Sequence, residues 1–158
     1  MKIKNKTILV TASAKRLGKF IAIDLIKKGW KIAIHYNKSK TSAEETADYL
    51  VKIGGKVSVH QADLTCNSDV EKLVNEIEAQ DSKWVGLINN AGYFNYDNGY
   101  SFRVEELDRH MSVNFIAPTL LTKALAKYTM KMTKKENNSQ GFVINILDAK
   151  IFGLNPDY

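Results

Sequence analysis

The sequence predicts an α/β domain, a doubly wound parallel sheet of about five strands with helices on both faces. Three observations predict it. Short apolar, β-branched runs recur at residues 6–12, 31–36, 56–63, 84–92 and 141–147. The intervals between them carry apolar residues at helical spacing. The links are short, and β-α-β units joined in this way lay their strands side by side and parallel.

The first run, "KTILVTA", reads as a buried strand. "RLGKFIAIDLIKKGW" comes next with Leu17, Phe20, Ile21, Leu25 and Ile26 on one helical face, and Gly29 marks its stop. "KIAIHY" is the second strand. "SKTSAEETADYLVKIGG" is a helix with Gly54 and Gly55 past its end. "KVSVHQAD" alternates as a strand, and "NSDVEKLVNEIEAQ" is a helix for which Asn67 or Ser68 is the expected cap. "WVGLINNAG" is a strand running into a turn. A helical stretch spans roughly 104–135, broken or bent at Pro118. "GFVINIL" is the last strand.

At 158 residues the chain reads as one domain, 1–158, with no repeat and no low-complexity tract. A 44% hydrophobic and 25% charged composition fits a globular chain and not a disordered one. No stretch approaches the ~20 apolar residues of a membrane span. The basic start "MKIKNKTILV" lacks the apolar core and cleavage site of a secretion signal, so the expected compartment is the cytoplasm. The single cysteine, Cys66, admits no internal disulfide; a packed or incidental thiol is the plain reading and a reactive one the sharper. No metal-ligand spacing stands out. The net charge of +6 leaves a polyanion possible. Lys123, Lys127 and Lys131, followed by Lys134 and Lys135, form a helix stripe that reads as a solvated face. No aromatic interleaving supports nucleic-acid binding.

In doubly wound sheets ligands bind beyond the carboxyl ends of the strands. The polar residues fall there: Thr11 to Arg16, His35 to Ser39, Asp63, Asn89 to Gly92, and Asn145 with Asp148. Small residues in "VTASAKRLG" suit close approach of a pyrophosphate to a helix N-terminus. After the second strand, "HYNKS" has no acid to take a ribose hydroxyl; it suits a 2′-phosphate, or is a surface turn.

Taken in order, Thr11, "AKRLG", "HYNKS", Asp63–Leu64, "NNAG", "VNFIAP" and "INILDA" resemble the short-chain dehydrogenase/reductase family, in particular its pteridine-reductase branch. The resemblance covers essentially the whole chain and implies a Rossmann-type fold, NADPH as cofactor and a small-molecule substrate, a pterin in that branch. It implies that Thr11, Ser13, Arg16 and Leu17 belong to the cofactor turn and that His35, Tyr36, Asn37, Lys38 and Ser39 form the 2′-phosphate pocket. Asp63 and Leu64 take the adenine, while Asn90, Ala91 and Gly92 line the cofactor. For the substrate it implies Arg16, Phe94 stacking on a flat ring, and Asp148, an acid where most of the family has Ser, bonding a pterin nitrogen. Asn114 resembles the Asn that bends its helix and holds a water in the proton relay. The family's first turn glycine is Ala12 here, whose Cβ is expected to hinder backbone approach.

The family's proton donor is a Tyr with a Lys four residues on, expected about thirteen residues past Asp148 and so beyond Tyr158. The resemblance therefore implies a chain that stops before its catalytic Tyr, with a last strand left as an exposed edge and low stability in isolation. It also implies that the helix forming the family's oligomer face is missing. The alternative function is a catalytically inactive, nucleotide-binding remnant.

Overall fold

The computed structural model describes residues 5–80, 82–96, 98–136 and 140–148. Five parallel strands form one sheet in the order β3-β2-β1-β4-β5. They are β1 (Lys6–Val10), β2 (Lys31–Tyr36), β3 (Lys56–Gln61), β4 (Lys83–Asn89) and β5 (Phe142–Asn145). The helices between them are α1 (Arg16–Lys27), α2 (Lys40–Lys52), α3 (Asn67–Glu78), α4 (Val104–Met111) and α5 (Ala117–Glu136). The strand order reverses between β1 and β4, which puts the crevice over the carboxyl ends of those two strands.

Side-chain alternation along the strands divides the core into two layers. Ile8, Val10, Ile32, Ile34 and Ile88 pack under Ala22 and Ile26 of α1 and Ala43 and Leu50 of α2. Leu9, Ala33 and Leu87 pack under Val70, Leu73 and Ile77 of α3 and Leu121 and Leu125 of α5. Trp84 shares this second layer with Leu87, three residues on, because the β1–β4 register slips between Thr7 and Ile8. Helices α1 and α2 end as expected, each closed by a left-handed glycine, Gly29 at φ 88° and Gly54 at φ 87°.

Two local expectations are corrected. Helix α3 is not capped by Asn67 or Ser68: Cys66 holds the cap position, Asn67 is already helical, and no side chain caps. The break near Pro118 lies earlier than the proline. Pro118 has no N–H to give the Asn114 carbonyl in α register, and the chain makes a π-helical turn over Ser112–Ile116 before α5 begins.

Strand β5 pairs with β4 through four register partners and is the sheet edge among the described residues. Ile144 is 46% exposed and Leu147 69%. Residues 149–158, with the spacing argument built on them, lie outside the described residues, as do the side chain of Lys135 and residues 1–4. No helix among the described residues is long and apolar enough to cross a membrane.

Candidate cofactor and substrate cleft

The floor of the cleft is a seam between β1 and β4. Thr11 is buried, and its Oγ1 accepts the N–H groups of both Asn90 and Ala91 at 2.9 Å. The amide of Asn90 returns the tie, Nδ2 donating to the carbonyls of Thr11 at 2.9 Å and Ala12 at 3.3 Å. Ser13 is fully buried, its Oγ donating to the Val10 carbonyl at 2.7 Å. Thr11 and Ser13 thus build the turn with hydroxyls already committed within the protein.

The turn takes a glycine-like path without glycines. Ala12 has φ 50° and Arg16 φ 49°, left-handed values that cost L-residues about 1 kcal/mol or more each. Ala12 does not prevent the turn from forming. Its N–H, however, is taken by His35 Nδ1 at 3.0 Å, so an anion must be met further on, at the start of α1. That helix has no side-chain cap, which leaves its first N–H groups and the exposed Arg16 as anion donors. Leu17, also exposed, sits beside them. Gly18 closes the turn: a Cβ there would lie 2.5 Å from the Ala12 carbonyl oxygen, 2.6 Å from Asn90 Nδ2 and 2.8 Å from Ser13 Cα.

At the end of β2 the structure corrects one expectation. His35 is not presented to a phosphate. It is buried, with Nδ1 accepting from Ala12 and Nε2 donating to the Ala62 carbonyl at 3.1 Å, and burial pushes its pKa down to about 4. It is a neutral pin between the turn and the end of β3. Of the residues after it, Asn37 and Lys38 are exposed. Asp63 Oδ1 accepts from the Thr65 N–H at 2.9 Å and hydroxyl at 2.8 Å. That Thr65 N–H, with the Asn37 side chain and the Lys38 charge, holds the Asp63 carboxyl below the usual carboxylate range. Asn37, Lys38 and Asp63 are therefore gathered in one place. Tyr36 is half-buried and Ser39 stands at the cap position of α2. Leu64 is a core residue on the α3 side of the sheet.

At the end of β4 the side chain of Asn114 holds the backbone of Tyr93 at both atoms: Oδ1 accepts its N–H at 2.8 Å and Nδ2 donates to its carbonyl at 2.8 Å. Asn114 stands within the π-helical turn and reaches this loop from there. Asn114, Asn89, Ala91, Pro118, Asn145 and Leu147 line a cavity of about 370 Å³. Asn89 is buried and donates to Asn145 Oδ1 at 2.8 Å, while its own Oδ1 has no hydrogen-bond partner among the described residues. Asp148 comes directly after Leu147 and is exposed. Arg16, Phe94 and Asp148 stand exposed after β1, β4 and β5, at the same end of the sheet.

Sequence reasoning missed a second polar cluster. Glu106, the one acid buried among the described residues, accepts from the Tyr93 hydroxyl at 2.6 Å, Asn95 Nδ2 at 3.2 Å, Arg103 at 3.1 Å and Arg109 at 3.4 Å. The Tyr93 hydroxyl foremost, then Asn95, holds its carboxyl below the usual range. Nothing in "RVEELDRH" separates this acid from its exposed neighbours. Sequence reasoning also passed over Tyr36 and Lys40, which do carry the Tyr-x-x-x-Lys spacing. They lie at the β2–α2 junction, across β1 from Asn114, and Lys40 faces Glu44 at 3.8 Å. No metal-binding cluster occurs among the described residues.

A family profile described as short chain dehydrogenase matches residues 6–149. Among solved structures, an alternative dihydrofolate reductase, FolM, of Brucella canis complexed with NADP superposes with a TM-score of 0.86 and 34% identity. That match covers 98% of this chain and 58% of the other. The short-chain dehydrogenase/reductase homolog YusS of Bacillus subtilis is 36% identical over 91 residues, 58% of this chain and 84% of that protein. An uncharacterized oxidoreductase of Thermotoga maritima is 28% identical over 155 residues, 98% of this chain and 58% of that protein. The chain thus spans little more than half the length of two of these three relatives.

Proposed function

Because this chain belongs to the short-chain dehydrogenase/reductase family, we propose that it is an NADPH-dependent oxidoreductase reducing a C=N or C=O bond of a pterin or a related substrate. The observation that carries the cofactor reading is the grouping of Lys38 and Asn37 against Asp63, with no acid directly after β2 to take a ribose hydroxyl. The substrate reading rests on Arg16, Phe94 and Asp148 at one end of the sheet and on similarity to an alternative dihydrofolate reductase.

The residues present fit a dinucleotide. The uncapped start of α1 and Arg16 would hold the pyrophosphate, Lys38 and Asn37 the 2′-phosphate, and Asp63 the adenine amino group. Asn90 and Gly92 would face the nicotinamide end, where a reduced ring supplies the hydride. Phe94, 66% exposed, offers a flat face for a bicyclic ring. Asp148 would bond a ring nitrogen and direct the proton to it. Asn114 holds the wall between them through Tyr93.

The test is fluorescence titration of the folded chain with NADPH and with NADH. NADPH is expected to bind at least about tenfold tighter, and Lys38→Ala to remove about that factor for NADPH alone. Equal affinities would end the 2′-phosphate reading. Dihydropterin-dependent oxidation of NADPH then tests the substrate. A second reading is NADPH binding without turnover. Its supporting observation is that Tyr36 and Lys40, which carry the Tyr-x-x-x-Lys spacing, lie across β1 from Asn114 and do not meet it. Tight NADPH binding with no oxidation would establish it.

A further inference from the structure

We propose that Glu106 is a positioning residue: it ties down both neighbours of Phe94 and so sets where that ring stands at the mouth of the cleft. The inference rests on the substrate reading above. Phe94 lies in the stretch from Asn90 to Arg103, which forms neither strand nor helix among its described residues. Such a stretch has no ladder to hold it, and an exposed aromatic on it would ordinarily sample many positions. Here the residues on either side of Phe94 end on one carboxylate. Tyr93 donates its hydroxyl to Glu106 Oε2 at 2.6 Å, and Asn95 donates Nδ2 to the same oxygen at 3.2 Å.

The carboxylate is itself fixed. Oε1 accepts from Arg103 at 3.1 Å and from Arg109 at 3.4 Å, so each oxygen has two donors. A buried carboxylate so satisfied resists displacement, because a donor removed leaves charge without its bond. His110 completes the frame. Its ring lies edge-on to Tyr93 at 5.0 Å and to Phe94 at 6.3 Å, and its Nε2 accepts the Asn95 N–H at 3.4 Å. Tyr93 is thus clamped by Asn114 at its backbone and by Glu106 at its phenol. Phe94 presents an exposed ring on a backbone held at both neighbours, which suits a stacking surface.

The test uses the full chain with Tyr93→Phe, Glu106→Ala and Glu106→Gln, each shown to be folded by circular dichroism. Three quantities are read: hydrogen exchange at the amides of 93–95, binding of biopterin in the presence of NADPH, and NADPH affinity itself. Tyr93→Phe and Glu106→Ala are expected to speed exchange and to weaken biopterin each by about tenfold, with NADPH affinity within about twofold of the parent. Glu106→Gln keeps an acceptor for the phenol and is expected to recover part of both losses. A folded Glu106→Ala with parental exchange and parental biopterin affinity overturns the proposal. Equal losses of NADPH and biopterin affinity also overturn it, since they mark a general structural role. If the parent binds no biopterin, the substrate reading fails by itself, and exchange confined to 93–95 still decides for or against Glu106. If Glu106→Ala does not fold, Tyr93→Phe, which lacks one oxygen only, gives the decision.

Discussion

Replacing Gly18 with Ala sets two effects against each other, and the structure says which one wins. Gly18 lies in the first turn of α1, where Ala is favoured over Gly by about 1 kcal/mol on helix propensity. Against that, the new Cβ would stand 2.5 Å from the Ala12 carbonyl oxygen and 2.8 Å from Ser13 Cα, both backbone. The third neighbour, Asn90 Nδ2 at 2.6 Å, is the group that bonds the Thr11 and Ala12 carbonyls. Overpacking of this kind costs about 1–3 kcal/mol. Pushing the Asn90 amide aside forfeits a hydrogen bond of about 1 kcal/mol more. The net expectation is a loss of about 2 kcal/mol in urea unfolding, with NADPH affinity at least tenfold weaker because the start of α1 must move away from the turn. Gly92→Ala is the control: its nearest atom, Asn114 Oδ1, lies 3.9 Å off, so stability should change by less than about 0.5 kcal/mol. A Gly18→Ala chain as stable as the parent would refute the steric reasoning and show that propensity decides.

Other expectations concern the same region and the sheet edge. Ala12→Gly relieves the left-handed strain at φ 50° and should raise the unfolding midpoint, by up to about 1 kcal/mol in free energy; a fall would show that the turn is not strained. The pKa of His35 is about 4 in the fold, against roughly 6.5 when unfolded, so its contribution is full above pH ~6.5 and is lost as pH falls toward 4. Protonation would set an N–H against the Ala12 N–H, and the expected loss over that window is about 3 kcal/mol. Urea unfolding at pH 7.5 and pH 5 should read about 2 kcal/mol of it, and His35→Gln should flatten the dependence; an unchanged slope would mean that His35 titrates normally. Ile144→Lys, on the strand that is the sheet edge among the described residues, should lower light scattering of concentrated solutions of this chain without loss of helix signal. Equal scattering would show that association uses another surface.

The strands were legible because each is a short β-branched run, and the helices because their apolar spacing is regular; β2 falls where the sequence put it, while α3 begins at Asn67 itself, one or two residues before the expected capping residue would allow. His35 shows where such reading stops. It stands after a buried run and before polar residues, so it looks like the first residue of a ligand loop. Alternation instead turns it toward the core layer that holds Ala33, and its two partners come from residues 23 and 27 positions away. The Tyr93–Glu106 bond was hidden for a similar reason, joining a loop to a helix whose exposed face carries the same kinds of charge. Pro118 announced a break, yet only backbone geometry shows that the π-helical turn comes before it and carries Asn114, which bonds Tyr93. Thr11 and Ser13 stand in the turn after β1, and their hydroxyls serve the scaffold.

Because the Thr11 hydroxyl receives both the Asn90 and the Ala91 amide, the tie between the cofactor side of the cleft and β4 is complete by residue 91. The segment from Tyr93 to the start of α4 is secured separately, through Asn114 and Glu106. The two segments are therefore held by separate sets of hydrogen bonds, one centred on the Thr11 hydroxyl and the other on Asn114 and Glu106. Substitutions in the second set are expected to leave the bonds of the Thr11 seam in place.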